Sequence, residues 1–583
     1  MSRRRFGRWI AVLVASAVAI VAPVPMLTPM AEAAEPAVPA SYLNQPISWG
    51  SCSGDLDSKC AKVKVPRDWT NPAKGSISIA IAYLKASGTS KGLLTTNPGG
   101  PGTAGRTFTE ALSWSKPQLR QYDLLGFDPR GFGASTNVKC VTTTAKYNKL
   151  PKVADPRSRT KKTHAVEVAE AKLFAEACSS DPLPGYVSAR YVNTQQTVWD
   201  LDFLRQLLDA KNTDRSYPVL NYIGYSYGTW LGAWYADTYP KNVGRFILDS
   251  NMQWTASMYT NQTLDPRSFQ RRRDKMLFPY LARHNADFGL GKSAKSVKKK
   301  YESTRKKLVT QAKKALKKGK TPALGPEDFD YTVSQYIYTD AGFDYAGAIV
   351  DAAADYVRKP SSAKYRKTLA KRVKAPMTKA PFSVQRTAKA VSSARKDITQ
   401  GLAGGVVRCN DSANSSNIKA LLKRADSDAR KYPFVGYLNT VELCAYWKFK
   451  PQTRTIDLAG VSNKILMFQS EGDPATAYEG ALAAHRRTAG KTVMVSVDNE
   501  GQHGLYVDGP SKCIESLGDS FLFKGWRPTA DRKCTTSPLA YDRKVYTLSG
   551  PVSGAKSTAK KVVKPKNGTV KAVRADAAKR GLS

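Results

Sequence analysis

The apolar positions of this chain follow two rhythms. Residues 77–83 alternate as a half-buried strand does, and 92–96, 122–128, 219–223 and 244–249 are short apolar runs closed by glycine, proline or aspartate. Between them Val198, Leu201, Leu204 and Leu208 recur at helical spacing over 197–210, and a helix-compatible run covers 229–239. From 251 to 455 the alternation stops, and the stretch is lysine- and alanine-rich with a helical pattern. The first rhythm resumes with strands at 464–468 and 492–497 and a helix at 478–488. Strand–helix alternation predicts an α/β fold, a mostly parallel central sheet flanked by helices, with a large mainly helical insertion. The expected boundaries are a leader at 1–33, a core at 34–250 and 456–545, a cap at 251–455, and a basic flexible tail at 546–583.

The run at 219–223 leads into Gly224-Tyr225-Ser226-Tyr227-Gly228, the G-x-S-x-G form of a nucleophile elbow. A turn this tight leaves no room for side chains two residues either side of the serine. A serine hydroxyl needs a base to take its proton, and the base needs a carboxylate to fix its tautomer. The chain has only four histidines. His164 lies in a basic polar stretch, His284 in the helical insertion and His485 on a helix, whereas His503 stands in a loop just after the last strand. Asp473, in Gly472-Asp473-Pro474-Ala475-Thr476, follows the 464–468 strand and is favoured as the acid over Asp249, which ends the strand after the elbow. The order Ser226, Asp473, His503 is that of the α/β-hydrolase fold. An oxyanion hole needs two backbone N–H groups. They are expected from Tyr227 and from the loop Gly99-Gly100-Pro101-Gly102, at Gly100.

Composition changes the picture at the ends of the chain and on its surface. Arg3, Arg4, Arg5 and Arg8 precede an apolar stretch from Ile10 to about Val24, and Ala31-Glu32-Ala33 offers an A-x-A cleavage site. This reads as an export signal cleaved near Ala33. Its start fits a twin-arginine signal and a generic basic start equally. Pro23 and Pro25 cut the run short of a membrane span, and no later segment reads as a transmembrane anchor. Eight cysteines behind such a signal point to disulfides, most simply between successive pairs: Cys52 and Cys60, Cys140 and Cys178, Cys409 and Cys444, Cys513 and Cys534. No C-x-x-C spacing occurs, so neither a metal site nor any cofactor is expected. The formal charge of +44 gathers at 292–320 and after Arg543, in stretches poor in aromatic residues that could stack on bases. No nucleic-acid motif accompanies it, and the expectation is a solvated surface or weak association with an anionic cell envelope.

Four motifs carry a family resemblance. Asn97-Pro98-Gly99-Gly100-Pro101-Gly102, the stretch from Gly126-Phe127-Asp128-Pro129-Arg130-Gly131 to Thr136, Gly224-Tyr225-Ser226-Tyr227-Gly228-Thr229 and Asp473-Pro474-Ala475-Thr476 together resemble the secreted tripeptidyl aminopeptidases of actinobacteria. Those are related to prolyl iminopeptidases within the α/β-hydrolase superfamily. The resemblance runs from about Val63 to Tyr506, loosely through the cap. Ala477 and Gln502 depart from a proline and a glycine common in the family, which touches substrate preference and not the reactive atoms. The resemblance implies a serine exopeptidase that removes short peptides, typically tripeptides, from free N-termini. Such an enzyme must hold an α-ammonium, and Asp411 and Glu442 are the acidic candidates, which a Cys409–Cys444 bond would bring together at the pocket lip. A secreted carboxylesterase or lipase with the same triad is the nearest alternative. A non-catalytic basic envelope-binding protein on a degenerate hydrolase scaffold is a further one.

Overall fold

The computed structural model describes residues 35–552 apart from 55, 141–145, 147–148, 181, 183, 375–397 and 439. The expected leader at 1–33 and the tail beyond 552 lie outside the described residues. From Ala37 onward the chain forms one compact unit.

Ten strands make one sheet: β1 (Gly50–Ser51), β2 (Lys59–Pro66), β3 (Ser76–Leu84), β4 (Leu93–Asn97), β5 (Asp123–Phe127), β6 (Leu220–Tyr225), β7 (Val243–Asp249), β8 (Ile465–Ser470), β9 (Thr492–Asp498) and β10 (Arg532–Thr535). Their spatial order is β1-β2-β3-β5-β4-β6-β7-β8-β9-β10. The β1–β2, β2–β3 and β3–β5 pairs are antiparallel, and every pair from β5 to β10 is parallel. β4, β5, β6, β8 and β9 are buried along their whole length, which is why they read as unbroken apolar runs. Neighbouring residues serve opposite faces: Leu93, Tyr222, Leu248 and Met467 join one core, Leu94, Ile223, Ile247 and Leu466 the other. The first core takes the helices Thr194–Lys211 and Tyr227–Thr238, the second Phe108–Ser115 and Lys512–Phe523.

Among the described residues no strand lies between Asp249 and Ile465. That interval is helical, beginning with Met258–Arg272, and has a core of its own built on Leu277, Phe278, Tyr301, Phe329, Phe343 and Phe434. Its helix Ala294–Lys317 buries Val297, Tyr301, Leu308 and Ala312 and turns its lysines outward. All four successive cysteine pairs are bonded: Cys52–Cys60, Cys140–Cys178, Cys409–Cys444 and Cys513–Cys534. No helix among the described residues is long and apolar enough to cross a membrane.

One expected boundary needs correction. Tyr546 to Val552 is not free tail: Leu548 is buried in the insertion core, and the amides of Leu548 and Val552 donate to Asn499 Oδ1 and Glu471 Oε2 at 2.8 and 2.9 Å. Two apolar residues in a basic stretch suffice to dock it, and a compositional reading passes over them.

Candidate active site

Five neighbouring parallel strands end at one rim. Asn97 of β4 pairs with Gly224 of β6, Tyr225 with Asp249 of β7, Asp249 with Phe468 of β8, and Ser470 with Val497 of β9. The loop of Gly99 and Gly100, then Ser226, Asp249, Asp473 and His503 therefore follow the carboxyl ends of adjacent strands. This is where open α/β sheets present their sites.

Ser226 joins β6 to the helix Tyr227–Thr238 at φ 57° and ψ −123°. A Cβ on Gly224 would lie 2.4 Å from the Gly228 carbonyl oxygen, and one on Gly228 would lie 2.5 Å from that of Asn97. Those clashes explain the glycines of the motif, and the left-handed backbone at Ser226 is a strain characteristic of functional positions. The Ser226 amide donates to the Asp249 carbonyl at 3.1 Å, tying the turn to the next strand.

Asp473 and His503 are joined: the carboxylate meets Nδ1 of the imidazole at 2.9 and 3.1 Å. Both are buried, and the other face of the carboxylate accepts the amides of Ala475 and Thr476 and the Thr476 hydroxyl at 2.8–2.9 Å. The Asp-Pro-Ala-Thr motif is thus an Asx turn that locks the acid. Burial by itself would depress the His503 pKa, but the charge and hydrogen bond of Asp473, with Asp249 behind, outweigh it and raise it above the ordinary imidazole value.

Asp249 has a different task. Its carboxylate accepts the amides of Leu505 and Tyr506, down to 2.6 Å, and the Ser250 hydroxyl, and burial lifts its pKa to about 7 against those bonds. It anchors the loop that carries His503 beside the elbow. The Gly504 amide, donating to Ser250 Oγ at 2.8 Å, reinforces the anchor.

The Gly99–Gly102 loop packs on Ser226, with the Gly99 Cα so close that an added Cβ would stand 2.8 Å from Ser226 Cβ. The Gly99 amide donates to Asn97 Oδ1 at 2.9 Å, which leaves Gly100 as the next donor along the loop. The Tyr227 amide opens the elbow helix, at its positive end. Among the described residues no cluster of side chains could hold a metal ion.

A buried Asp–His pair and a strained serine share one rim. A family model described as TAP-like protein, of the α/β-hydrolase type, matches residues 432–534. The chain is 28% identical to the tripeptidyl aminopeptidase of Streptomyces coelicolor over 84% of this chain and 86% of that one. It is 25% identical to serine protease Hip1 of Mycobacterium tuberculosis over 90% and 96%. A shorter match, 31% identical over 27% of this chain and 32% of the relative, is to carboxylesterase B of Mycobacterium tuberculosis. The chain is a serine hydrolase similar to the tripeptidyl aminopeptidases.

In this hydrolase the helical insertion bears directly on the imidazole. The His503 amide donates to the Tyr338 carbonyl at 2.8 Å, and the Tyr338 ring meets the imidazole edge-on at 5.4 Å. Gln502, the departure from the family glycine, accepts the Asp340 amide at 3.3 Å and donates to the Gly504 carbonyl at 3.1 Å, so it bridges insertion and core.

The two acids expected at the pocket lip part company despite the Cys409–Cys444 bond. Asp411 is sealed, 1% exposed, and accepts the Thr194 amide at 2.8 Å and the Thr194 hydroxyl, which also bonds the Tyr227 hydroxyl. Burial lifts its pKa to about 7. It buttresses the elbow helix from below and is withdrawn from the lip by the helix Ile398–Asp411 that ends on it. Glu442 remains half-exposed, accepting from Gln262 Nε2 at 2.9 Å with Arg408 Nε at 3.8 Å. Sequence reasoning missed Tyr338, on the insertion, whose ring and carbonyl meet His503.

Proposed function

We propose that this hydrolase is a secreted serine exopeptidase that releases short peptides, three residues long by its resemblance, from free N-termini through an acyl-enzyme. Ser226 Oγ attacks the scissile carbonyl while His503 Nε2 takes its proton, Nδ1 being held by Asp473. The amides of Gly100 and Tyr227 receive the oxyanion. His503 then protonates the leaving amine, and water, activated by the same imidazole, releases the peptide. The 251–455 insertion acts as the cap that selects what reaches Ser226. The leader at 1–33 and four disulfides support an exported protein.

The observation that carries this reading is the buried Asp473–His503 pair, one rim away from a serine at φ 57° and beneath an all-helical insertion. The test is a library of unblocked peptides of graded length, with released fragments weighed by mass spectrometry. Uniform release of tripeptides is expected, and internal cleavage or no cleavage would sink the reading. The partial match to a carboxylesterase favours a second reading, hydrolysis of acyl esters by the same triad. An enzyme that turned over acyl esters and ignored free peptides would establish that reading instead.

A further inference from the structure

A cavity of about 410 Å³ opens at the end of the strands opposite Ser226, where β4, β6 and β7 begin. Leu93, Leu220 and Val243 start those strands in register. Side-chain amides already bonded to backbone fix its floor. Asn221 Nδ2 donates to the Leu93 carbonyl at 3.1 Å and its Oδ1 accepts the Arg245 amide at 2.9 Å, while Asn463 Nδ2 donates to the Val243 carbonyl at 3.1 Å. The charged side chains that line the cavity are Lys91, Arg245 and Arg527, and among the described residues no carboxylate lines it with them.

One ring holds two of these charges. The Arg245 guanidinium stands 5.6 Å from the centroid of the buried Phe521 ring, and the Arg527 guanidinium stands 5.7 Å from the same centroid. Arg245 Nη1 also donates to the carbonyls of Phe521 and Trp526, so its position is fixed beside the chain that carries Arg527. Among the described residues none of the three cations has an ion pair. The carboxylates of neighbouring segments are bonded elsewhere. Asp123 accepts from Arg215, Ser90 and Tyr217, Asp214 pairs with Lys85 at 3.3 Å, and Asp209 accepts the Ser216 hydroxyl and the Tyr217 amide. Burial, and then the charge of Arg245, lowers the pKa of Arg527, as for one cation crowded by another. A concave surface lined by one sign of charge focuses its field and gathers counter-ions.

We propose that this cavity is a binding site for a phosphate group in its dianionic form. The planar forks of Arg245 and Arg527 and the ammonium of Lys91 suit a tetrahedral oxyanion, and a dianion offsets the paired guanidiniums where a single carboxylate leaves one charge over. The phosphate fills only part of the volume, and the remainder, walled by Pro218 and Val219, takes the organic part of a phosphate monoester. The site shares no side chain with the triad or the insertion, and it does not depend on the exopeptidase reading.

The test titrates the full chain at fixed ionic strength with glycerol 3-phosphate, with inorganic phosphate, and with phosphatidylcholine vesicles carrying phosphatidic acid. Glycerol 3-phosphate is expected to bind saturably at a single site and more tightly than inorganic phosphate. The double variant Lys91→Gln/Arg527→Gln should weaken that binding by about tenfold or more. Both side chains are exposed, so the melting temperature without ligand and the labelling of Ser226 by a fluorophosphonate should be unchanged. Lys299→Gln/Lys300→Gln, on the exposed side of the helix Ala294–Lys317, removes the same charge and should leave the affinity as it is. Inorganic phosphate bound as tightly as the ester would make the free ion the ligand, and binding of vesicles alone would make it a lipid headgroup. In both cases loss in the first double variant only upholds the site. No saturable binding of any probe overturns the proposal, as does equal weakening by the two double variants, which would report the net charge of the chain alone.

Discussion

His503 makes the first prediction. A general base must be neutral, and the Asp473 charge and hydrogen bond hold this imidazole above its ordinary pKa against burial. The acid limb of kcat/KM on a blocked substrate should therefore lie above about 6.5, with activity lost as pH falls through it. In Asp473→Asn that limb should move down, because burial remains and the charge is gone, while kcat falls by about 10⁴-fold. A pH–rate profile of both proteins checks this, and an unmoved limb would show that another acid holds the imidazole. Residue identity alone did not single out His503. Every histidine in the chain meets an aspartate: His164 with Asp426, His284 with Asp542, His485 with Asp531 and His503 with Asp473. Position after a strand end separated them in the sequence, and burial of both partners separates them in space. Asp411 shows the opposite case, since no local pattern reveals that Thr194, over two hundred residues upstream, claims its carboxylate.

At the scale of elements, the parallel strands were legible because their two buried faces make unbroken apolar runs. β1 and β10 were not: they are two and four residues long with mostly exposed side chains, and only a partner strand defines them. β2 hides among lysines, with Lys59, Lys62 and Lys64 outward and Val63 and Val65 inward. The insertion read as helical, but how its helices meet the core did not. The Cys409–Cys444 bond lies within the insertion and fastens the helix that carries Arg408 to the segment that carries Glu442. Replacing both cysteines with alanine should cost about 2–4 kcal/mol of stability. It should also raise KM for free peptides more than it lowers kcat. Denaturant melts and steady-state kinetics measure the two effects, and an unchanged KM would uncouple the disulfide from substrate binding.

For the whole molecule, Leu548 links the sheet rim to the insertion core, and Leu548→Ala should cost about 2–4 kcal/mol in urea melts. A loss below about 1 kcal/mol would mean that the segment is only loosely docked. Buried carboxyls also set a pH dependence. Asp249, Asp411 and Glu471 are lifted to about 7, and Glu500 to about 8. Folded pKa values above the unfolded ones mean that the native state holds more protons, so stability falls as pH rises from about 4 through 8. The melting temperature should be several degrees higher at pH 5 than at pH 8.5, roughly, by calorimetry without substrate. A melting temperature that rises over that interval would contradict the assignment.

The sequence by itself determined the elbow, the order of Ser226, Asp473 and His503 after strand ends, and the parallel sheet, because each is written in local pattern: glycines around a serine, apolar runs, loops at strand ends. Tertiary structure alone decided what surrounds each acid. Asp411 and Asp265 look alike in sequence, and what distinguishes them is how completely each is sealed from solvent and whether a distant segment bonds its carboxylate. Those properties belong to contacts between distant segments, so they exist only once the insertion is folded onto the rim that bears Ser226.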